Sequence, residues 1–268
     1  MAQEVTENII NSDEDILLDQ TNAIVRYNNG LNTTALRGFK PLEMDVFWAI
    51  LSKMKRQGTA EVTFEFSVFR HLVKYNRREK DSFYAVLKAL SDKLGTLTYR
   101  FEDSEIYEQL WLFQKFRIDK QKETVTIKAN EEFEFILNSI GKNFTRFELD
   151  NFTKLRSSYT KELYRHLMQY RNKEWRNGYW VVKIEDFRRA LSIPSSYRMT
   201  NIDKRILEQA KEEFLAPDEN GVRIFESFDY EKIYAKNKGR KVDRLRFTFS
   251  EPESNLPSIS MHNWLEED

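Results

Sequence analysis

The chain contains no cysteine. That excludes disulfides and thiol chemistry and fits a cytoplasmic setting. Its three histidines, His71, His166 and His262, lie far apart in sequence. No paired-histidine metal site is therefore expected, and each is read as structural or exposed. No Gly-x-x-x-x-Gly-Lys-Ser/Thr loop occurs, so no nucleotide hydrolysis is expected. The acids are numerous but scattered, as on solvated faces, and no constellation of residues points to catalysis or to a cofactor. No apolar run approaches the length that spans a bilayer. Residues Met1 to Gln20 lack the basic start and apolar core of a signal peptide.

Net charge is also absent, since 43 basic residues meet 43 acidic ones. The balance hides a segregation. Residues 1–20 hold six acids and residues 251–268 hold five, and neither stretch has a lysine or arginine. Residues 21–250 therefore carry a net charge of +11. A basic body between acidic ends is an electrostatic footprint for a polyanion. Solvating tails account for the ends but not for the body.

What is present is a pattern that occurs twice. Phe66, Phe69 and Val73 are spaced by three and four, and so are Ile184, Phe187 and Leu191. Each trio is followed by a short polar break and a longer amphipathic helix. The first helix carries Leu87, Leu90 and Leu94, and the second carries Leu207, Ala210 and Phe214. This is the helix-turn-helix plan of a winged helix, and its repetition suggests duplication. The expected fold is α+β, with two tandem winged-helix domains.

The expected boundaries are an acidic N-terminal segment at 1–30, a first winged helix at 31–141, a second at 142–250 and a flexible acidic tail at 251–268. In the first domain, Leu42 to Met54 forms one apolar helical face started by Pro41. Val62 to Phe66 alternates as a strand, and Ser67 can cap the next helix. Asn76 and Glu79 form a capping-box-like start for the following one. Strands are expected at about 96–102, 106–118 and 124–128, and a helix at 131–140. Residues 142–154 read as a joining segment. In the second domain, helix 158–171 and strand 179–183 precede the helix-turn-helix. Thr200 and Asp203 read as a capping box for a helix that runs to about Phe214. Strands 223–234 and 244–249 enclose a basic glycine turn.

The candidate contacts follow from this frame. Arg198, Asn201, Lys204 and Arg205 lie near the start of the second recognition helix, the end that reaches base edges. Arginine can bond guanine and asparagine can bond adenine in bidentate fashion. A solvated helix face of mixed charge would read the same; the basic hairpin that follows favours DNA. There Lys236, Lys238, Arg240 and Lys241 crowd one turn, a density that repels itself unless a polyanion neutralises it. Such a tip would track phosphates or a minor groove, although lysine-rich turns also discourage edge pairing. In the first domain Arg77, Arg78 and Lys80 cluster where the recognition helix begins, and phosphate contact or an interface role fits them equally. Lys154, Arg156 and Ser158 precede a helix and are candidate phosphate ligands.

The run Tyr159-Thr160-Lys161-Glu162-Leu163-Tyr164-Arg165-His166-Leu167 resembles the second-domain signature of the iteron-binding initiators of theta-replicating plasmids. So do Ile184 to Leu191, the helix from Thr200, and the ending Lys238-Gly239-Arg240-Lys241-Val242-Asp243-Arg244-Leu245-Arg246-Phe247-Thr248. The likeness extends back to about Leu31. It implies two winged-helix domains that bind direct repeats in duplex DNA as monomers, with most sequence readout in the second. It further implies dimers that repress their own gene, opening of an adjacent AT-rich region, and recruitment of the host initiator and replicative helicase. A plasmid-associated protein of the bacterial cytoplasm is the expectation. The rival readings are a repressor with no replication role and an adaptor that binds no DNA. Rolling-circle initiation needs paired metal-binding histidines, which this chain lacks.

Gln109-Leu110-Trp111-Leu112-Phe113 is similar to the Gln-Leu-x-Leu-Phe peptide that binds the replicative sliding clamp, through Gln109, Leu110, Leu112 and Phe113. In an expected strand, alternating apolar residues are simply core, and that reading is favoured.

Overall fold

The structure is a computed structural model that describes residues 23–34, 36, 38–54, 60–75, 80–133, 143–172, 174–236 and 241–252. Among these the duplication is visible in the topology. The first unit runs helix α1 (Pro41–Met54), strand β2 (Val62–Glu65), helices α2 (Phe66–Leu72) and α3 (Lys80–Leu94), then β5 (Phe113–Asp119) and β6 (Thr124–Ala129). Its sheet order is β2-β6-β5. The second unit runs α5 (Ser158–Gln169), β9 (Asn177–Lys183), α6 (Ile184–Ala190), recognition helix α7 (199–215), β10 (Ser227–Tyr234) and β11 (Val242–Ser250). Its sheet order is β9-β11-β10, extended by the two-residue β8 (Arg171–Asn172). In each unit the last strand lies between the other two, and all pairings are antiparallel.

The helix-turn-helix bends are built alike. Lys74 and Ser192 both take the left-handed conformation, with φ of 51° and 50°. In each bend the next residue donates back five positions: Tyr75 N to Arg70 O at 2.7 Å, and Ile193 N to Arg188 O at 2.8 Å. This is a helix C-terminal cap in which one residue accepts a positive φ so that the orphan carbonyls find donors. Phe69 and Phe187, the middle members of the two trios, are fully buried.

Several expectations are corrected. The segment assigned to an acidic N-terminus contains strand β1 (Ile24–Asn28), whose Val25 and Tyr27 are buried. The joining segment 142–154 contains β7 (Phe144–Glu148) and helix α4 (Leu149–Lys154), and β7 pairs with β1. A partner some 120 residues away gives no local signal. The strand expected at 106–118 breaks at Leu112, which is 1% exposed. Its first half, β4 (Tyr107–Trp111), pairs with β3 (Thr98–Glu102), and its second half is β5. Of the helix expected at 131–140, Glu131–Phe133 forms a 3-10 turn and the rest lies outside the described residues. Ser67 does not cap α2. Its hydroxyl donates to the Glu65 carboxylate, and Glu65 holds the N-cap position.

Helix α1 is buried on every side from Glu43 to Leu51, not on one face. The reason is its central place, with α3, α4, α5 and β1 all packed around it. Trp48 meets the rings of Tyr27, Phe147 and Phe152 at 4.7, 5.5 and 6.2 Å. Helix α5 closes the other side and is buried from Thr160 to Met168. Its Lys161 ammonium meets the Asp45 carboxylate and donates to Phe152 O at 2.6 Å. Its Arg165, fully buried, donates to Leu31 O at 3.2 Å, Thr34 O at 2.8 Å and Glu162 Oε2 at 2.7 Å. Burial pushes the Asp45 carboxyl up to about 7 and the Lys161 ammonium down. Desolvation thus offsets much of the attraction within the pair.

Candidate nucleic-acid interface

The second recognition helix is seated by a buried stripe of Ile202, Ile206, Leu207, Ala210 and Phe214. It is α-helical at Met199–Ile202, widens to a π turn at Asp203–Leu207 and returns to α at Glu208–Leu215. With the stripe inward, Arg198, Lys204 and Arg205 are exposed. The helix start differs from the expected capping box. Arg198 N donates to Asn201 Oδ1 at 2.9 Å, so Asn201 does the capping. Asp203 is engaged elsewhere, accepting from Lys232 Nζ of β10 at 2.6 Å. The Asn201 carbonyl oxygen is thereby committed to the backbone, which weakens its case for bidentate contact with adenine.

Arg205 is held in place by a residue the sequence reading did not single out. Its Nη1 donates to the Tyr197 hydroxyl at 3.2 Å, and its guanidinium carbon lies 5.4 Å from the Tyr197 ring centroid. Tyr197 is fixed in turn, because its carbonyl accepts from Arg188 Nη2 at 2.7 Å and its N–H donates to Pro194 O at 3.0 Å. Arg188 thus braces the turn between the two helices. Such an aromatic just ahead of a recognition helix has no sequence signal of its own; only the fold brings it over Arg205, eight residues on.

The wing extends from β10 and β11, whose ladder shifts register at Ile233/Tyr234. Ala235 N donates to Lys241 O at 2.9 Å across its base, and Lys236 and Lys241 are both exposed. Lys238 and Arg240 lie outside the described residues. Arg246, farther along β11, faces Glu231 at 3.0 Å and the Tyr179 ring, so its charge is matched within the sheet.

The candidate phosphate ligands separate. Arg156 is exposed. Lys154 is not a free cation: its Nζ lies 3.0 Å from Asp150 and 2.9 Å from Asp218. Ser158 donates its hydroxyl to Phe39 O at 3.1 Å. In the first domain Arg77 and Arg78 lie outside the described residues, and Lys80 opens α3. Lys74, in the preceding turn, is paired with Asp150 of α4. The clamp-like run is woven into the fold: Leu112 is buried, Leu110 and Phe113 pack against the core, and Trp111 points outward.

Among the described residues no helix is long and apolar enough to cross a membrane, and no group of three or more His, Asp or Glu side chains could hold a metal ion.

Two family descriptions match this chain. "Initiator Replication protein, WH1" matches residues 24–168, and "Initiator Rep protein, WH2" matches residues 183–249. The first match takes in β1, β7, α4 and α5, well past the boundary expected at 141. A curated relative, "Probable replication protein rep" of Bifidobacterium longum (strain NCC 2705), is 35% identical over 239 residues, covering 86% of this chain and 73% of its own length. The crystal structure of the Pi initiator protein in complex with iteron DNA shares the fold, with a TM-score of 0.68 at 16% identity over 87% of this chain and 98% of that one. The chain belongs to the initiator replication protein family, with a WH1 domain followed by a WH2 domain.

Proposed function

We propose that this chain is a plasmid replication initiator that binds directly repeated sites in duplex DNA. The observation that carries the reading is the second helix-turn-helix, whose exposed Arg198, Lys204 and Arg205 lie on the first turns of a helix seated by a buried stripe. In this reading Arg205 and Arg198 read bases, Lys204 reads a base or a phosphate, and the wing cations Lys236, Lys238, Arg240 and Lys241 track the backbone. Affinity comes mainly from released counterions and specificity from the helix. The first domain adds contacts near Arg77, Arg78 and Lys80 and takes part in dimerisation. Bound copies then promote opening of an adjacent region and recruit the host initiator and replicative helicase, and dimers repress the initiator's own gene.

The test is binding of the purified chain to DNA from upstream of its own gene, against random DNA, across a salt series. Several copies bound along a directly repeated element, with much weaker binding to random DNA, is the expected result. Equally weak binding to both would overturn the reading. A circular fragment that carries the gene and its flanking repeats should replicate autonomously in the host; a repressor alone would not support this.

A further inference from the structure

Strand β9 ends at Lys183, the residue that precedes α6. Directly opposite it on β11 stands Arg244. Both are exposed. Two like charges facing each other across adjacent strands destabilise a sheet. Arg244 has a partial counter-charge in its neighbour Asp243, at 3.3 Å, while Lys183 has no ion pair among the described residues. The first domain offers an internal control. There the residue before the equivalent helix is Glu65, and the residue opposite it on β6 is Thr124. The duplicated unit thus avoids in one copy the repulsion it retains in the other.

The place of the pair gives the retention a meaning. Arg244 is three residues beyond the wing cation Lys241, so the pair sits at the wing end of the sheet. Lys183 leads directly into the helix-turn-helix. Both residues line an open cleft of about 500 Å3 that Asn29, Asn32 and Thr33 of the first domain also line. The carboxylate on that lining, Asp186, accepts from Arg189 at 2.7 Å. Facing cations with a domain junction beside them fit a single bridging anion that passes from one domain to the other.

We infer that Lys183 and Arg244 together hold one phosphate of the DNA backbone where the duplex crosses from the second domain to the first. The inference rests on the DNA-binding reading above. It assigns a positioning role that carries no sequence information, because phosphate contacts fix register and bases specify.

The test uses the full chain and three variants, Lys183→Gln, Arg244→Gln and Lys183→Glu. Binding to the repeat DNA and to random DNA is measured against salt, with the thermal midpoint of each free protein. Each neutral variant should lower the salt slope by about one unit and weaken both DNAs by the same factor, without loss of thermal stability. Lys183→Glu, which makes a cross-strand ion pair with Arg244, should raise the midpoint while weakening binding further. Independently of any variant, duplexes with single neutral methylphosphonate linkages are scanned along the repeat. One position should weaken the unmutated protein yet leave Lys183→Gln unaffected. Unchanged slopes, or no position silenced in the variant, would overturn the phosphate bridge while leaving DNA binding intact. Failure of the unmutated protein to prefer its repeat would instead overturn the reading on which the bridge rests.

Discussion

Tyr75 N to Arg70 O and Ile193 N to Arg188 O close the same bend in the two winged helices, and Phe69 and Phe187 fill the same place in the two cores. At the surface the two copies part. The first bend carries Lys74, paired with Asp150, where the second carries Ser192. The first wing turn, at 119–123, is internally balanced: Asp119 accepts from the N–H groups of Gln121 and Lys122, Lys120 sits 4.8 Å from the Tyr84 ring centroid, and Glu123 meets Arg70 at 3.5 Å. The second wing holds Lys236, Lys238, Arg240 and Lys241 with no acid between them. Core residues fix the fold and are shared; surface charges decide what the fold can bind and have diverged. A scaffold built twice can thus present two differently charged surfaces.

The likeness of the cores can be broken first. Phe69→Ala and Phe187→Ala should each cost about 3–5 kcal/mol in denaturant unfolding, because each removes a fully buried ring. A cost below about 1 kcal/mol at either site would show that the two cores are not equivalent.

A larger asymmetry concerns histidine. His71, on α2, is exposed, whereas His166, on the helix α5 that leads into the second sheet, is buried against Trp180. Burial, helped by the charge of Arg165, pushes the His166 imidazole down to about 3. The unfolded chain binds a proton near 6.5 that the native state refuses at this side chain, so the contribution of His166 to stability is complete above 6.5 and is lost as pH falls toward 3. The expected loss is about 1.4 kcal/mol per pH unit between roughly pH 6 and 4. Asp45, whose raised carboxyl takes up a proton on folding over the same range, opposes this slope, so the reading is a difference. Stability of the unmutated chain should fall more steeply toward low pH than that of His166→Gln by about this amount, and identical slopes would sink the assignment.

The reading role comes next in size. Arg205→Ala should weaken binding to the repeat by ~1–3 kcal/mol and relax sequence preference. Tyr197→Phe, which removes the hydroxyl that Arg205 bonds, should lose part of that preference. Equal losses on repeat and random DNA would reassign Arg205 to the backbone. The smallest effects concern charge alone. Lys241→Ala should lower the salt slope by about one unit on every sequence, and Glu65→Lys should raise it by a similar amount. Opposite shifts of this kind would make the two domains more alike; no shift from Glu65→Lys would place that edge away from DNA.

The helix-turn-helix trios were legible because apolar residues spaced by three and four must share one helical face and must be buried. The winged-helix plan, its duplication and the basic wing could therefore be read without coordinates. The capping residue of the recognition helix could not. Thr200 and Asp203 have the right spacing for a capping box, and so have Arg198 and Asn201; the choice fell to the second pair, with Asp203 held by Lys232 of a strand 29 residues away. Lys154 looked free for the same reason, since Asp218 reaches it from beyond the recognition helix.

By itself the sequence determined which segments bury an apolar face, where the two bends fall and which stretches carry unbalanced charge, since these are properties of neighbouring residues. Only the tertiary structure decided that β1 closes on β7, that α1 is covered on all sides, and that Lys183 stands opposite Arg244. Each of those is a meeting of residues distant along the chain, and local spacing holds no record of what the fold will set beside it.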